Sequence, residues 1–335
     1  MKRYFLTALA LLTLAGLAIA AAPGYKVLSK LKIGGAGGWD YVFVDSDAQR
    51  LYVSHTNQVE VVDMKTMMLT GKIENTTGVH GIAIAPDLNR GYTSNGRDNS
   101  VTIFDTKTLA TISKTPVGMN PDSIIYEPSS KRVYTFNGRS ADATAIDAKT
   151  GMVVGTVPLG QKPEFSQTDG KGKIWVNLEP THEIVEIDAA KATINKKYSI
   201  EPCEEPSGLA RDPKSGSLFS VCGNKMMIVS DPATGKVLAN LVIGAGADGV
   251  AFDNGMAFSS NGGDGTITVV GQEGGKWTIL ETAQSQRTGR TIGVDPKTHH
   301  LFIPAAESTP GVMKDGKQGR PQVTPDSFTI FVVGK

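Results

Sequence analysis

Four short strings, Tyr52-Val-Ser-His55, Tyr92-Thr-Ser-Asn95, Tyr134-Thr-Phe-Asn137 and Phe258-Ser-Ser-Asn261, recur at nearly constant spacing along the chain. Carrying the register of their aromatic residue through the rest of the sequence adds Trp175, Phe219 and Phe302. The resulting seven positions stand roughly 42 residues apart, a period typical of propeller blades. Each unit reads as four short strands. In the second unit these are Gly81 to Ala85, the strand bearing Tyr92, the alternating Val101 to Phe104, and Thr108 to Ser113. One such sheet cannot bury both of its faces, and radial stacking lets each blade cover its neighbour. The sequence therefore predicts an all-β, seven-bladed β-propeller with four-stranded antiparallel blades.

The seventh unit is divided between the ends of the chain. Thr291 to Pro304 supply its inner and second strands and Phe328 to Val333 its third. The N-terminal segment Tyr25 to Ile33 has the pattern of an outer strand and is expected to close the last blade, removing an edge open to pairing.

Ahead of that segment, Lys2 and Arg3 precede an apolar run from Phe5 to Leu17 and the small-x-small triplet Ala18-Ile19-Ala20. This is the layout of a secretory signal cut after Ala20, leaving residues 21–335 as one propeller domain in the periplasm or outside the cell. The apolar run is shorter than the ~20 residues of a membrane span. No cysteine follows the cut before Cys203, so no membrane anchor is expected after cleavage. Losing Lys2 and Arg3 takes the basic residues from 34 to 32 against 33 acidic ones, a net charge near −1. That balance disfavours nucleic acid as a partner. A monomer is expected.

The two cysteines, Cys203 and Cys222, fall on the same face of the fifth blade by this topology, and a disulfide is permitted after export. Two buried thiols and a thiol metal pair are the other arrangements the spacing admits. No CxxCH haem-attachment motif occurs.

The YVTN-like strings, the Asp-x-x-Thr turns (Asp63 to Thr66, Asp105 to Thr108, Asp147 to Thr150, Asp231 to Thr234) and the Pro-Asp or Pro-x-Gly starts of the inner strands carry a resemblance. From Tyr25 to Lys335 the chain resembles the YVTN-repeat, YncE-like family of exported seven-bladed propellers. The resemblance implies the fold and implies little about activity. A nucleic-acid-binding label attached to part of that family finds no support in the charge. The turn aspartates read as hairpin caps, and the aromatic column as blade core.

Function is sought at one end of the bore, where the inner strands begin. The rim column there is Asp40, His80, Asp122, Glu164, Ser207, Asp248 and Arg290. Small residues follow it, with Tyr41 and Phe165 as bulky exceptions. The ends of the second strands add His55, Asn95, Asn137, Cys222 and Asn261. Unlike charges in equivalent blades suit a site for a small-molecule or protein ligand made from Asp40, His55, His80, Asn95, Asp122, Asn137, Glu164, Asp248, Asn261 and Arg290. A solvated channel mouth with Asn-Gly turns is the alternative. Two sharper chemistries are compatible with the same ring. Asp40, His80, Asp122, Glu164 and Asp248 suit a divalent cation. In a metal-assisted lactonase or lyase, Arg290 would clamp a substrate carboxylate while His80 or Glu164 acts as base. The Gly-, Pro- and Lys-rich loop 305–326 is expected to bring Lys314, Lys317 and Arg320 over this face.

Overall fold

In the computed structural model, which describes residues 24–309 and 322–335 together with 311, 313–314 and 317–318, seven four-stranded antiparallel sheets stand around a central axis. The expected signal segment and its expected cleavage site lie outside the described residues. Blades one to six run in chain order from axis to rim. Blade two, for example, comprises Val79–Ala85, Arg90–Asn95, Ser100–Asp105 and Thr111–Pro116. Blade seven is composite: Gly293–Asp295, His300–Ala305 and Thr329–Gly334 are completed by the N-terminal strand Lys26–Lys32.

The core lies between blades. Tyr92, Ala83 and Ile103 of blade two pack with Ile124, Tyr126 and Ile146 of blade three. Blade seven is held on both sides, by Phe258 and Val269 of blade six against Leu301 and Phe331, and by Leu51 and Val53 of blade one against Phe302 and Ile330. The repeated aromatics Tyr52, Tyr92 and Tyr134 are fully buried. Two of them also tie blades together, because Tyr92 Oη donates to the carbonyl of Ala148 at 2.5 Å and Tyr134 Oη to that of Ala189 at 2.6 Å. Arginines at the head of the same strands reinforce these seams. Arg132 donates to Ala189 at 3.0 Å, Arg90 to Ala148 at 3.2 Å, and Arg50 to the Thr106 carbonyl.

The turn aspartates cap hairpins. Asp105 accepts the N–H groups of Lys107 at 2.9 Å and Thr108 at 2.8 Å, and the Thr108 hydroxyl at 3.1 Å. That turn uses the chain up to Ala110, whose carbonyl accepts from Asp105 N. The outer strand therefore begins at Thr111 and not at Thr108 as the sequence pattern predicts. Loop 305–326 forms a short ladder, Ser308–Thr309 against Gln322–Val323 and Met313–Lys314 against Lys317–Gln318. The side chains of Lys314 and Lys317, and all of Arg320, lie outside the described residues.

Candidate functional site

Each of the first six inner strands shifts register as it begins. The slips fall between Trp39 and Val42, Val79 and Ile82, Pro121 and Ile124, Pro163 and Ser166, Pro206 and Leu209, and Ala247 and Gly249. A bulge bends the strand and re-aims the side chains it contains. The residue caught in every slip is the rim residue: Asp40, His80, Asp122, Glu164, Ser207 or Asp248. The small residue after it makes room for the next blade. A Cβ on Gly208 would meet the Asp248 carbonyl oxygen at 2.6 Å, and one on Gly249 would meet Thr291 Cα at 2.9 Å. Hydroxyls pin the same backbones: Ser207 donates to the Asp248 carbonyl at 3.0 Å, and Thr291 to that of Asp40 at 2.5 Å.

All seven rim residues consequently line one cavity of about 390 Å³. Its floor is made by the two bulky exceptions. Tyr41 of blade one and Phe165 of blade four stack across the axis with ring centroids 4.2 Å apart. Both rings also line a second cavity of about 360 Å³, among Ile82, Ile124 and Val250. The aromatic pair thus separates a charged cup from a chamber of mixed lining, in which Ser123, Ser166 and Gln167 stand among the aliphatic side chains. The Tyr41 hydroxyl is buried and has no hydrogen-bond partner.

Acids dominate the cup. Asp40, Asp122, Glu164, Glu179, Glu205 and Asp248 face only His80, Lys162 and Arg290. The three cationic groups are already engaged. His80 Nδ1 lies 2.6 Å from Asp40 Oδ2 and 3.9 Å from Asp122 Oδ1. Arg290 reaches Asp248 at 2.7 Å and Asp40 at 3.4 Å, and Lys162 bridges Glu164 and Glu179. Burial, then the field of Asp122, pushes Glu164 up to about 8 despite Lys162. Burial, then Asp40 and Asp248, raises Asp122 to about 6 against the pull of His80. Asp248 is raised by burial although Arg290 opposes it. For His80 burial disfavours the imidazolium, but the Asp40 hydrogen bond and the Asp122 charge prevail and hold it at about 9. Burial, followed by Asp122, Asp40, Glu164 and Asp248, raises the Tyr41 hydroxyl well above its ordinary value. Asp122, Glu164 and Asp248 are thus raised even with a cationic group beside each of them.

Of the five expected metal ligands, the structure groups three. Asp40, His80 and Asp122 offer ligand atoms within 4.8 Å of one another. Glu164 pairs with Lys162, and Asp248 with Arg290 and Ser207.

Four residues expected at the mouth are not brought there. Asn95, Asn137 and Asn261 are fully buried staples inside their own blades. Asn95, for instance, accepts from Thr93 at 2.9 Å and donates to Ser100 at 3.0 Å and Thr102 at 2.9 Å. Asn137 and Asn261 repeat the pattern with Thr135, Asp142 and Thr144 and with Ser259, Thr266 and Thr268. The reason is strand parity, since the last residue of the second strand faces the sheet next to it. His55 packs on Phe328 and bonds Glu60 at 3.0 Å. Cys222 is joined to Cys203 by a disulfide with Cα atoms 5.4 Å apart, beside Glu205 and Gly223 of the cup wall.

Lys162, Glu179 and Glu205 escape the rim column. Glu179 carries a sequence signal all the same: it follows the end of its second strand where four other blades place Gly96, Gly138, Gly223 and Gly262.

No family model matches the sequence, and no curated protein matches it. Among solved structures, the chain is similar to one described as Kuenenia stuttgartiensis Hydrazine Synthase, with TM-score 0.68 and 17% identity over 80% of this chain and 92% of that one. At that identity the likeness establishes the shared propeller fold and nothing about the site.

Proposed function

We propose that this is an exported, YVTN-repeat, YncE-like propeller, periplasmic or secreted and monomeric, that binds a small ligand or a partner's side chain through a cationic group seated in the cup. The observation that carries this is the blind acidic cup over an aromatic floor. Excess carboxylate attracts a cation, and the stacked Tyr41–Phe165 pair closes the cup beneath it. The disulfide suits an oxidising compartment. The acidic mouth repels a phosphate backbone, which argues against a nucleic-acid role. The test is a thermal-shift screen of purified mature protein against organic ammonium ions and anions of matched size. Ammonium ions should raise the melting temperature while the anions do not; a response confined to the anions would refute the assignment.

A second reading is favoured by the grouping of Asp40, His80 and Asp122. There a divalent cation, such as a transition metal that accepts imidazole, would assist hydrolysis of a lactone. In that chemistry Glu164, at about 8, stands closer than His80 to the value suited to a base working near neutrality. Elemental analysis together with a lactone turnover assay tests it. Metal-dependent hydrolysis lost in His80→Ala supports the enzyme, and stoichiometric ligand binding with no turnover rejects it.

A further inference from the structure

Beside the cup, between blades one and two, lies a second recess of about 190 Å³. It shares Asp40, His80 and Arg290 with the cup and adds Arg97 and Trp39. Arg97 stands in the turn after Asn95, and its stem lies flat on the backbone of Gly78. A Cβ at Gly78 would come within 2.5 Å of Arg97 Cγ, and Gly78 also holds φ +66. Both constraints reserve that position for glycine and give the arginine stem its seat. Arg290 is committed to Asp248 and Asp40, whereas the Arg97 guanidinium has no carboxylate partner among the described residues. Around the one carboxylate of Asp40 the recess therefore gathers two guanidinium groups and an imidazole, and of these Arg97 alone is without a carboxylate partner among the described residues. Its polarity is the reverse of the cup's, and the two recesses share a wall.

We propose that cup and recess form one bipartite site for a zwitterion, a small amino acid whose ammonium enters the cup above Tyr41 and Phe165 and whose carboxylate enters the recess against Arg97. This rests on the assignment of the cup to a cationic group and deepens it by fixing the other end of the ligand. A planar guanidinium fork matches a carboxylate in two parallel hydrogen bonds, which makes Arg97 the residue that reads the anionic end. A plain amine fills only the cup, and a plain carboxylate meets the six acids that line it.

The test is a set of matched pairs titrated calorimetrically into the mature protein: glycine with methylamine, 4-aminobutanoate with propylamine, and 6-aminohexanoate with pentylamine. At one chain length the amino acid should bind about tenfold more tightly than its amine, the worth of one charge-assisted contact. In Arg97→Ala, a change at an exposed side chain, that ratio should fall to about one. Amines that bind with no gain from the carboxylate at any length overturn the bipartite site and leave the cup assignment standing. So does a preference that survives in both Arg97→Ala and Arg97→Gln. Absence of binding by every amine and every amino acid overturns both.

Discussion

Glu164 shows how one residue's chemistry follows from its position. It lies in the slip that begins blade four, stands next to Asp122 of the neighbouring blade three, and is held up to about 8 from an ordinary 4.5 by burial and that like charge. The folded protein therefore binds a proton that the unfolded chain has released, so this group's contribution to stability is full below 4.5 and declines as pH climbs toward 8. Unfolding measured by urea between pH 5 and 8 should show that decline, and Glu164→Gln should flatten it; an unchanged slope would mean that the carboxylate is not buried among acids. Cation affinity should move the opposite way, rising with pH as the carboxylate ionises. Asn95 makes the contrasting case. It has no exposed surface and anchors three hydroxyls, so Asn95→Ala should cost about 2–3 kcal/mol in chemical denaturation. Ligand affinity should not change, and a variant that folds normally but loses binding would return this asparagine to the mouth. Nothing in the one-dimensional pattern separates the two residues: both are polar, and both end or begin a strand at the same face. Only the bulge beside one and the regular pleat beside the other do so.

At the level of elements, the repeated strand heads were legible because the aromatic period marks them, and the division of the seventh blade followed from the same count. The bulges were not legible, since a register slip leaves no composition of its own; the small residues after the rim are its one trace. Gly249 illustrates the consequence. Adding a methyl there drives it into the backbone of Thr291, so Gly249→Ala should destabilise the fold by about 1–3 kcal/mol and loosen the seam between blades six and seven. Hydrogen exchange confined to that seam is the expected signature, and exchange rates matching wild type throughout would show that the seam has slack. The tyrosine seams are a second device that the period conceals. Tyr134→Phe keeps the ring and removes the hydrogen bond to Ala189, with an expected loss of about 1 kcal/mol in a denaturant titration. No loss at all would reduce these tyrosines to packing.

For the whole molecule, closure joins the two ends of the sequence in one blade, and the cup exists only because seven strands distant in sequence meet at one opening. Deleting residues 24–33 strips the outer strand from Thr329–Gly334 and bares an edge. The shortened chain should aggregate or melt far below the intact protein, and a soluble, equally stable monomer would deny the N-terminal strand its role. Reducing the Cys203–Cys222 bridge, which spans 19 residues, should lower stability by about 3 kcal/mol without opening the ring. The most direct measurement is calorimetric titration of an alkylammonium ion into wild type and into Asp122→Asn/Glu164→Gln at a pH just above 8, where both carboxylates are ionised. Saturable binding of one ion per chain, weakened about tenfold or more in the double variant, is the expected result. Equal affinity in the two proteins, or none in either, would contradict the assignment of the cup to a cation.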